Sequence, residues 1–146
     1  MTQQNKTVLI TGATGGLGEA LAHRYLSSNY NVVLLSRDQE KLDDLGDKFD
    51  SFLMNSNINC YECDLSDNDS IFETIEKIKS NHKIDILVNC AGIFPTNSLF
   101  DSTINEYDLC MQVNVKAPFI LMKEFSKEMV ENKWGRIINI ASSSAY

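Results

Sequence analysis

The stretch Thr11-Gly12-Ala13-Thr14-Gly15-Gly16-Leu17-Gly18 carries four of the chain's seven glycines and separates two regular patterns. The run Thr7–Thr11 (TVLIT) before it is β-branched, as is typical of a strand, and apolar Leu17, Leu21 and Tyr25 after it recur at helical spacing. A glycine pattern that leaves a strand and opens a helix predicts a dinucleotide site.

The glycines have separate expected roles. Gly12 allows a tight turn off the strand, Gly16 leaves room for a pyrophosphate to approach the backbone, and Gly18 lets the helix pack on the sheet. The helix N-terminus offers N–H groups and a positive dipole end to phosphates. The alternative, a turn that binds nothing, is disfavoured by four glycines in this position.

Strands and helices alternate along the rest of the chain. Further strands are predicted at residues 31–36, 58–63, 84–89 and 136–141, and helices at 17–28, 38–50, 66–79 and 103–131. Ser66 with Asp69, and Thr103 with Glu106, resemble capping boxes. Pro118 should kink or break the last helix.

This alternation predicts one α/β domain over residues 1–146. Strands separated by helices favour a parallel sheet, and the continuously apolar strands suit a sheet that is buried on both faces. We therefore expect a parallel sheet with helices on both faces.

Composition excludes several classes of protein. The formal net charge of −7 disfavours nucleic acid as a partner. The longest apolar runs are too short to span a bilayer, and the polar N-terminus shows no signal peptide, so we expect a cytoplasmic protein. We expect the four cysteines to be reduced. Cys60 and Cys63 should point to opposite faces of a strand, so no metal site is predicted.

The spacing of the turn, Gly-x-x-x-Gly-x-Gly, resembles that of the short-chain dehydrogenase/reductase family. Further segments of the sequence are similar to that family in the same order. They are Cys63-Asp64-Leu65, Asn89-Cys90-Ala91-Gly92, Val113-Asn114-Val115 and the segment Gly135-Arg136-Ile137-Ile138-Asn139-Ile140-Ala141-Ser142. In the second segment, Cys90 replaces an Asn of the family pattern.

The resemblance implies a Rossmann-like fold with strand order 3-2-1-4-5. It also implies a nicotinamide dinucleotide cofactor and assigns its contacts. Asp64 would contact the adenine ring. The implied cofactor-binding residues are Thr11, Gly12, Thr14, Gly16, Leu17, Gly18, Ser36, Arg37, Asp64, Leu65, Asn89, Ala91 and Gly92.

The end of the second strand favours NADP(H) over NAD(H). An acidic residue there would accept from the ribose 2′-hydroxyl, whereas Arg suits a 2′-phosphate. This chain has Ser36 followed by Arg37. In the alternatives, Arg37 pairs with Asp38 or Glu40, or Asp38 turns to the ribose.

The implied reaction is hydride transfer between the nicotinamide and an alcohol or carbonyl substrate. Asn114 and Ser142 match the family's catalytic Asn and Ser, with Ser143 as a second candidate. The resemblance also implies a catalytic Tyr that moves the proton and a Lys four positions after it that lowers the pKa of this Tyr. None of the five tyrosines here has Lys four positions after it, and Tyr146 is too close to Ser142 to be that Tyr. We expect that pair beyond the end of this truncated sequence, and the 146-residue chain to be inactive. The alternative is a non-catalytic dinucleotide-binding module.

The fifth strand is expected to form a bare edge of the sheet. Ile137, Ile138 and Ile140 would then lack cover, and exposed apolar edges favour association. We expect the chain to be marginally stable or to self-associate, which includes formation of a homo-oligomer.

Overall fold

Strands and helices alternate in the computed structural model, which describes residues 6–50 and 57–142. The strands are β1 (Thr7–Thr11), β2 (Asn31–Ser36), β3 (Ile58–Glu62), β4 (Ile86–Asn89) and β5 (Arg136–Asn139). The helices are α1 (Gly16–Leu26), α2 (Gln39–Asp50), α3 (Asn68–Asn81), α4 (Ile104–Met111) and α5 (Ala117–Glu131). A π-helical turn, Gln112–Lys116, separates α4 from α5.

The five strands form one parallel sheet in the order β3-β2-β1-β4-β5, which confirms the predicted Rossmann-like topology. In the centre of the sheet, Leu9 of β1 lies opposite Val33 of β2 and Leu87 of β4. The chain builds outward on one side of β1 and then on the other. The strand order therefore reverses between β1 and β4.

The core has two halves, one on each face of the sheet. Leu9, Val33 and Leu87 lie in the half that includes residues of α3 and α5, whereas Val8 and Ile10 lie in the half that includes residues of α1 and α2. Cys63 belongs to the first half and Cys60 packs against the second, which confirms that the two thiols are separated.

The beginning of α3 corrects one prediction. Ser66 is not the capping residue, because Asp67 is the N-cap and its carboxylate accepts from Asp69 N at 3.1 Å. Ser66 Oγ instead donates to Asp64 Oδ1 at 2.7 Å. At α4 the predicted capping box is confirmed, since Thr103 and Glu106 each accept from the backbone of the other.

The long helix is interrupted before Pro118, as predicted. Pro118 has no N–H to donate to the Asn114 carbonyl four residues earlier. The preceding turn widens, and Ala117 N donates to Gln112 O, five residues back. The break thus fixes the turn that carries Asn114.

The edge strand β5 is exposed along its whole length. Ile137 and Ile138 are each 39% exposed, so the expected bare edge is present in the described part of the chain. No helix within residues 6–50 and 57–142 is long and apolar enough to cross a membrane. The same residues hold no group of three or more His, Cys, Asp or Glu side chains placed to bind a metal ion.

Candidate functional site

The described site residues meet at the edge of the sheet formed by the carboxyl ends of its strands, which is different from the lateral edge formed by β5. Ligands of open α/β sheets bind outside the carboxyl ends of the strands, where the strand order reverses. The predicted residues follow or end their strands as follows: Thr11 to Gly18 at β1, Ser36 and Arg37 at β2, Asp64 and Leu65 at β3, Asn89 to Gly92 at β4, and Ser142 after β5. Asn114 joins this edge through its contact with Ile93.

The glycine turn is closely packed at two of its glycines. Gly12 has φ +65°, and a Cβ there would lie 2.8 Å from Ala91 Cα. A Cβ on Gly18 would overlap the Gly12 carbonyl oxygen and lie 2.9 Å from Ala13 Cα. At Gly16, by contrast, a Cβ would meet no heavy atom within 4 Å. The fold therefore requires Gly12 and Gly18, whereas Gly16 borders open space.

The N-terminus of α1 can receive an anion. Its N-cap is Gly15, which has no side chain, and no side-chain cap hydrogen bond is formed. The side chain of Leu17 is exposed and apolar, so it offers no acceptor to the N–H groups of the turn. The one acidic residue of the first turn, Glu19, forms an ion pair with Lys48. The first-turn amides and the helix dipole are thus not neutralised by a capping side chain.

Buried polar side chains tie the ends of the central strands together. Thr11 is 1% exposed, and its Oγ1 accepts from Cys90 N and Ala91 N, each at 3.0 Å. Asn89 Nδ2 donates to Asn139 Oδ1 at 2.8 Å, which joins β4 to β5. Because the Thr11 bonds use backbone groups, Cys in place of the family's Asn at position 90 leaves them intact.

The end of β2 presents a hydroxyl pair and a cation. Thr14 Oγ1 and Ser36 Oγ lie 2.8 Å apart and share a hydrogen bond. Arg37 is exposed, and no carboxylate of the described residues lies within ion-pair distance of it. Its neighbour Asp38 instead pairs with Lys41 Nζ at 2.9 Å.

The Asp38 carboxylate is occupied by α2. Lys41 N donates to Asp38 Oδ1 at 3.1 Å, beside the ion pair with the Lys41 ammonium. These hydrogen bonds from Lys41 hold the pKa of Asp38 below its usual range. In the structure Asp38 therefore pairs with Lys41 and not with Arg37.

Asp64 is held at the end of β3 as a carboxylate. Its Oδ1 accepts from Ser66 N at 2.9 Å and from Ser66 Oγ at 2.7 Å. These bonds, with a smaller contribution from the charge of Arg37, lower the pKa of Asp64. Leu65 beside it is half-buried against the core.

The side chain of Asn114 is hydrogen-bonded to the loop after β4. Its Oδ1 accepts from Ile93 N at 2.9 Å, and its Nδ2 donates to Ile93 O at 2.8 Å. This pair of bonds fixes the loop that follows Gly92. The side chain of Asn114 therefore braces this loop. The backbone carbonyl of Asn114 receives no hydrogen bond from Pro118, because proline has no N–H.

Gln112 is a residue at this edge that sequence reasoning did not identify. Its Nε2 donates to Leu65 O at 3.2 Å and to Asn68 Oδ1 at 3.0 Å. These partners are 44 to 47 positions away, so no local pattern in the sequence indicates the contact.

Ser142 lies exposed beyond the end of β5, three residues after Asn139. Ser143 and Tyr146 fall outside the described residues. The chain contains no Tyr followed four positions later by Lys. The edge thus brings together the predicted binding residues with Asn114 and Ser142, but this sequence supplies no residue that matches the Tyr and Lys.

Comparison with known proteins agrees with this architecture. Residues 6–146 match the family described as short chain dehydrogenase. The chain is 36% identical over 137 residues to the 3-oxoacyl-(acyl-carrier-protein) reductase FabG of Rickettsia conorii, and the match covers 94% of this chain and 54% of the reductase. The chain spans about half the length of the curated relatives it matches.

Solved structures show the same fold. A metagenomic short-chain oxidoreductase in complex with NADP superposes with a TM-score of 0.89 at 31% identity, over 100% of this chain and 65% of that protein. A short-chain dehydrogenase from Sphingobium yanoikuyae in complex with NADPH gives a TM-score of 0.88 at 26% identity, over 94% and 54% of the two chains.

Proposed function

This chain belongs to the short-chain dehydrogenase family, and on that premise we propose that it binds NADP(H) in preference to NAD(H) at the carboxyl-terminal edge of its sheet. The packing of the glycine turn carries the proposal. Gly12 and Gly18 hold a turn that leaves Gly16 open, at an α1 N-terminus with no side-chain cap. That combination suits a pyrophosphate, which needs close backbone approach and N–H donors.

The residues of this edge fit the remaining parts of the dinucleotide. Asp64 would accept from the adenine amino group, because a carboxylate with a lowered pKa remains an acceptor at neutral pH. Asn89, Ala91 and Gly92 would border the nicotinamide side, since Thr11 ties the loop after β4 to the end of β1. Two of the similar solved structures are described as complexes with NADP or NADPH.

The preference for NADP(H) follows from the charges at the end of β2. Arg37 has no ion-pair partner among the described residues, while the neighbouring Asp38 carboxylate is occupied by Lys41. A 2′-phosphate near Ser36 would therefore meet a cation and hydroxyl groups rather than a carboxylate. NAD(H), which lacks that phosphate, would gain nothing from Arg37.

The proposed reaction is hydride transfer to or from an alcohol or carbonyl carbon, for which the nicotinamide supplies or accepts the hydride. In this chain Ser142 would donate a hydrogen bond to the substrate oxygen, and the backbone carbonyl of Asn114 would hold a water. Loss of a positioned general acid costs about 10²–10⁴ in rate. We therefore propose that the 146-residue chain binds cofactor without measurable turnover.

A non-catalytic dinucleotide-binding module is the second candidate function. The observation that favours it is that no Tyr of this sequence is followed four positions later by Lys. Asn114 and Ser142 favour the enzymatic alternative.

Titration of the chain with NADPH and with NADH, in which binding is detected by nicotinamide fluorescence, tests the cofactor proposal. We expect tighter binding of NADPH, and Arg37→Ala should weaken it by about 10- to 100-fold, since hydrogen bonds to charged groups contribute about 1.5–3 kcal/mol. NADH affinity should change little. Arg24→Ala, which removes the same charge from an exposed position in the last turn of α1, is the matched control.

Equal affinity of the unmodified chain for the two cofactors would refute the preference, as would equal effects of the two Arg variants. A turnover assay on small ketones and a 3-oxoacyl thioester then tests the proposed inactivity of this chain. We expect saturable binding without turnover, and turnover by this chain alone would show that the Tyr-x-x-x-Lys pair is dispensable.

A further inference from the structure

We propose that Gln112 is a positioning residue for the adenine end of the dinucleotide, because it fixes the loop between β3 and α3 that carries Asp64. This inference rests on the proposed function. No residue of the π-helical turn is itself a proposed cofactor contact. The inference makes Gln112 of this turn an indirect determinant of cofactor binding.

The contact itself is specific in its chemistry. Gln112 is half-buried, and its Nε2 lies 3.2 Å from Leu65 O and 3.0 Å from Asn68 Oδ1. Both partners are acceptors, so the two bonds use the two hydrogens of the Gln112 amide nitrogen. A donor is required here, and a glutamate of the same shape would place a carboxylate against two oxygen acceptors.

The other side-chain hydrogen bonds of this loop are local. Asp64 bonds to Ser66 and Ser70, and Asp67 bonds to Asp69, all within six positions along the chain. Such bonds shape the loop but do not fix it relative to the rest of the fold. Gln112 supplies the side-chain tie between this loop and a distant element.

The same turn also fixes the second proposed cofactor loop. Asn114, two residues after Gln112, makes two hydrogen bonds to the backbone of Ile93 after β4. The turn is widened before Pro118, and π-helical turns occur frequently at functional sites. It therefore braces the adenine loop with Gln112 and the nicotinamide-side loop with Asn114.

A ligand-resolved binding experiment separates positioning from general stability. NADPH, adenosine 2′,5′-bisphosphate and reduced nicotinamide mononucleotide are titrated against the unmodified chain and Gln112→Leu. We expect Gln112→Leu to weaken NADPH and adenosine 2′,5′-bisphosphate by about 5- to 10-fold, the effect of about one net hydrogen bond. The affinity for reduced nicotinamide mononucleotide should change by less than about twofold.

Two further variants complete the design. Asn68→Ala removes one of the two acceptors and should weaken adenosine 2′,5′-bisphosphate by about 2- to 3-fold, without adding to Gln112→Leu in the double variant. Asn81→Leu, which removes an amide bonded to Lys77 O at the far end of α3, is the control and should leave all three affinities unchanged. Gln112→Glu should be at least as impaired as Gln112→Leu.

The outcomes are distinct. If the unmodified chain binds no NADPH, the proposed function fails and the inference fails with it. If the unmodified chain binds NADPH and Gln112→Leu binds all three ligands equally well, the inference alone fails. A parallel loss for all three ligands assigns Gln112 a structural role and also overturns the inference. Selective loss of the adenine-containing ligands, absent in Asn81→Leu, supports it.

Discussion

The glycine turn after β1 and the strand β5 are opposite cases of packing within one sheet. In the turn, Gly12 and Gly18 have no room for a Cβ, and Thr11 is buried with both of its acceptor bonds made. In β5 all four residues are exposed, and Ile137 and Ile138 each leave 39% of their surface to solvent. The glycine turn is packed against several elements, whereas β5 pairs with β4 along one side and has no described strand along the other.

This difference separates the two parts of the proposed activity. Thr11, Ser36 and Asp64, which are proposed to bind the dinucleotide, are held by hydrogen bonds within the described residues, whereas the Arg37 side chain is exposed. Ser142, proposed to contact the substrate, follows the least covered strand of the sheet. Cofactor binding should therefore depend on the glycine turn, and self-association should depend on β5.

Replacement of Gly18 should have the largest effect. In Gly18→Ala the new Cβ meets backbone atoms of Gly12 and Ala13, which cannot rotate away. We expect a loss of about 3 kcal/mol or more in the free energy of unfolding, together with loss of NADPH binding. Urea unfolding followed by circular dichroism measures the first effect, and nicotinamide fluorescence measures the second.

Gly16→Ala is the matched control, because its Cβ meets no heavy atom within 4 Å. Its stability should stay the same or rise by up to about 1 kcal/mol. Its affinity for NADPH should still fall, since the methyl group occupies the space proposed for the pyrophosphate. Full NADPH affinity in Gly16→Ala would contradict the proposed approach of the phosphates.

A change in β5 should have an intermediate effect on association. We expect the apparent mass of the unmodified chain in sedimentation to increase with protein concentration, and Ile138→Lys to raise the dissociation constant by about tenfold, because an edge Lys opposes strand pairing. Val130→Lys, which removes an apolar side chain that is 74% exposed on α5, should have a smaller effect. If the unmodified chain remains monomeric at every concentration, the bare edge does not drive association.

The smallest expected effect concerns the ion pairs of Glu124 on α5. Its carboxylate lies 2.7 Å from Lys79 Nζ of α3 and 2.9 Å from Lys127 Nζ, and hydrogen bonds to these two lysines lower the pKa of Glu124 to about 2. Because the folded-state pKa is lowered, the stabilisation is present above the ordinary pKa of 4.5 and is lost as the pH falls from there toward 2.

At neutral pH, Glu124→Gln should therefore lower the free energy of unfolding by about 0.5–1 kcal/mol, since the pair is partly exposed. The difference between the variant and the unmodified chain should diminish between pH 4.5 and pH 2. Unfolding curves at several pH values measure it. A difference that persists at pH 2 would assign the effect to packing of the side chain.

Elements that depend on local patterns were predictable from the sequence. The parallel sheet followed from the alternation of strands and helices, and its strand order followed from the family resemblance. The break before Pro118 followed from its missing N–H. At the start of α3, Ser66 and Asp67 are both good capping residues, and the prediction chose the wrong one because the helix begins one residue later than the Ser66 box requires.

Contacts between distant segments were not predictable. The Gln112 bonds to Leu65 and Asn68 depend on how the π-helical turn meets the loop after β3, which no local spacing encodes. Among neighbouring residues, the pairing of Asp38 with Lys41 rather than Arg37 depends on side-chain geometry at the start of α2. The sequence left the pairing of Arg37 open for the same reason.

The packing of Trp134 gives this chain an optical signal of folding at the opposite end of the strands from the proposed cofactor site. Trp134 is the chain's one tryptophan and lies under the Lys6 ammonium, 3.6 Å from the ring centre, where β1 and β5 begin. The proposed cofactor edge is one strand length away, about 15 Å at 3.3 Å per residue. Indole emission measured before cofactor is added should report unfolding at the end of the sheet where β1 and β5 begin. Nicotinamide emission measured after NADPH is added should report occupancy of the opposite end, so the two readings distinguish a variant that has lost its fold from one that has lost its ligand.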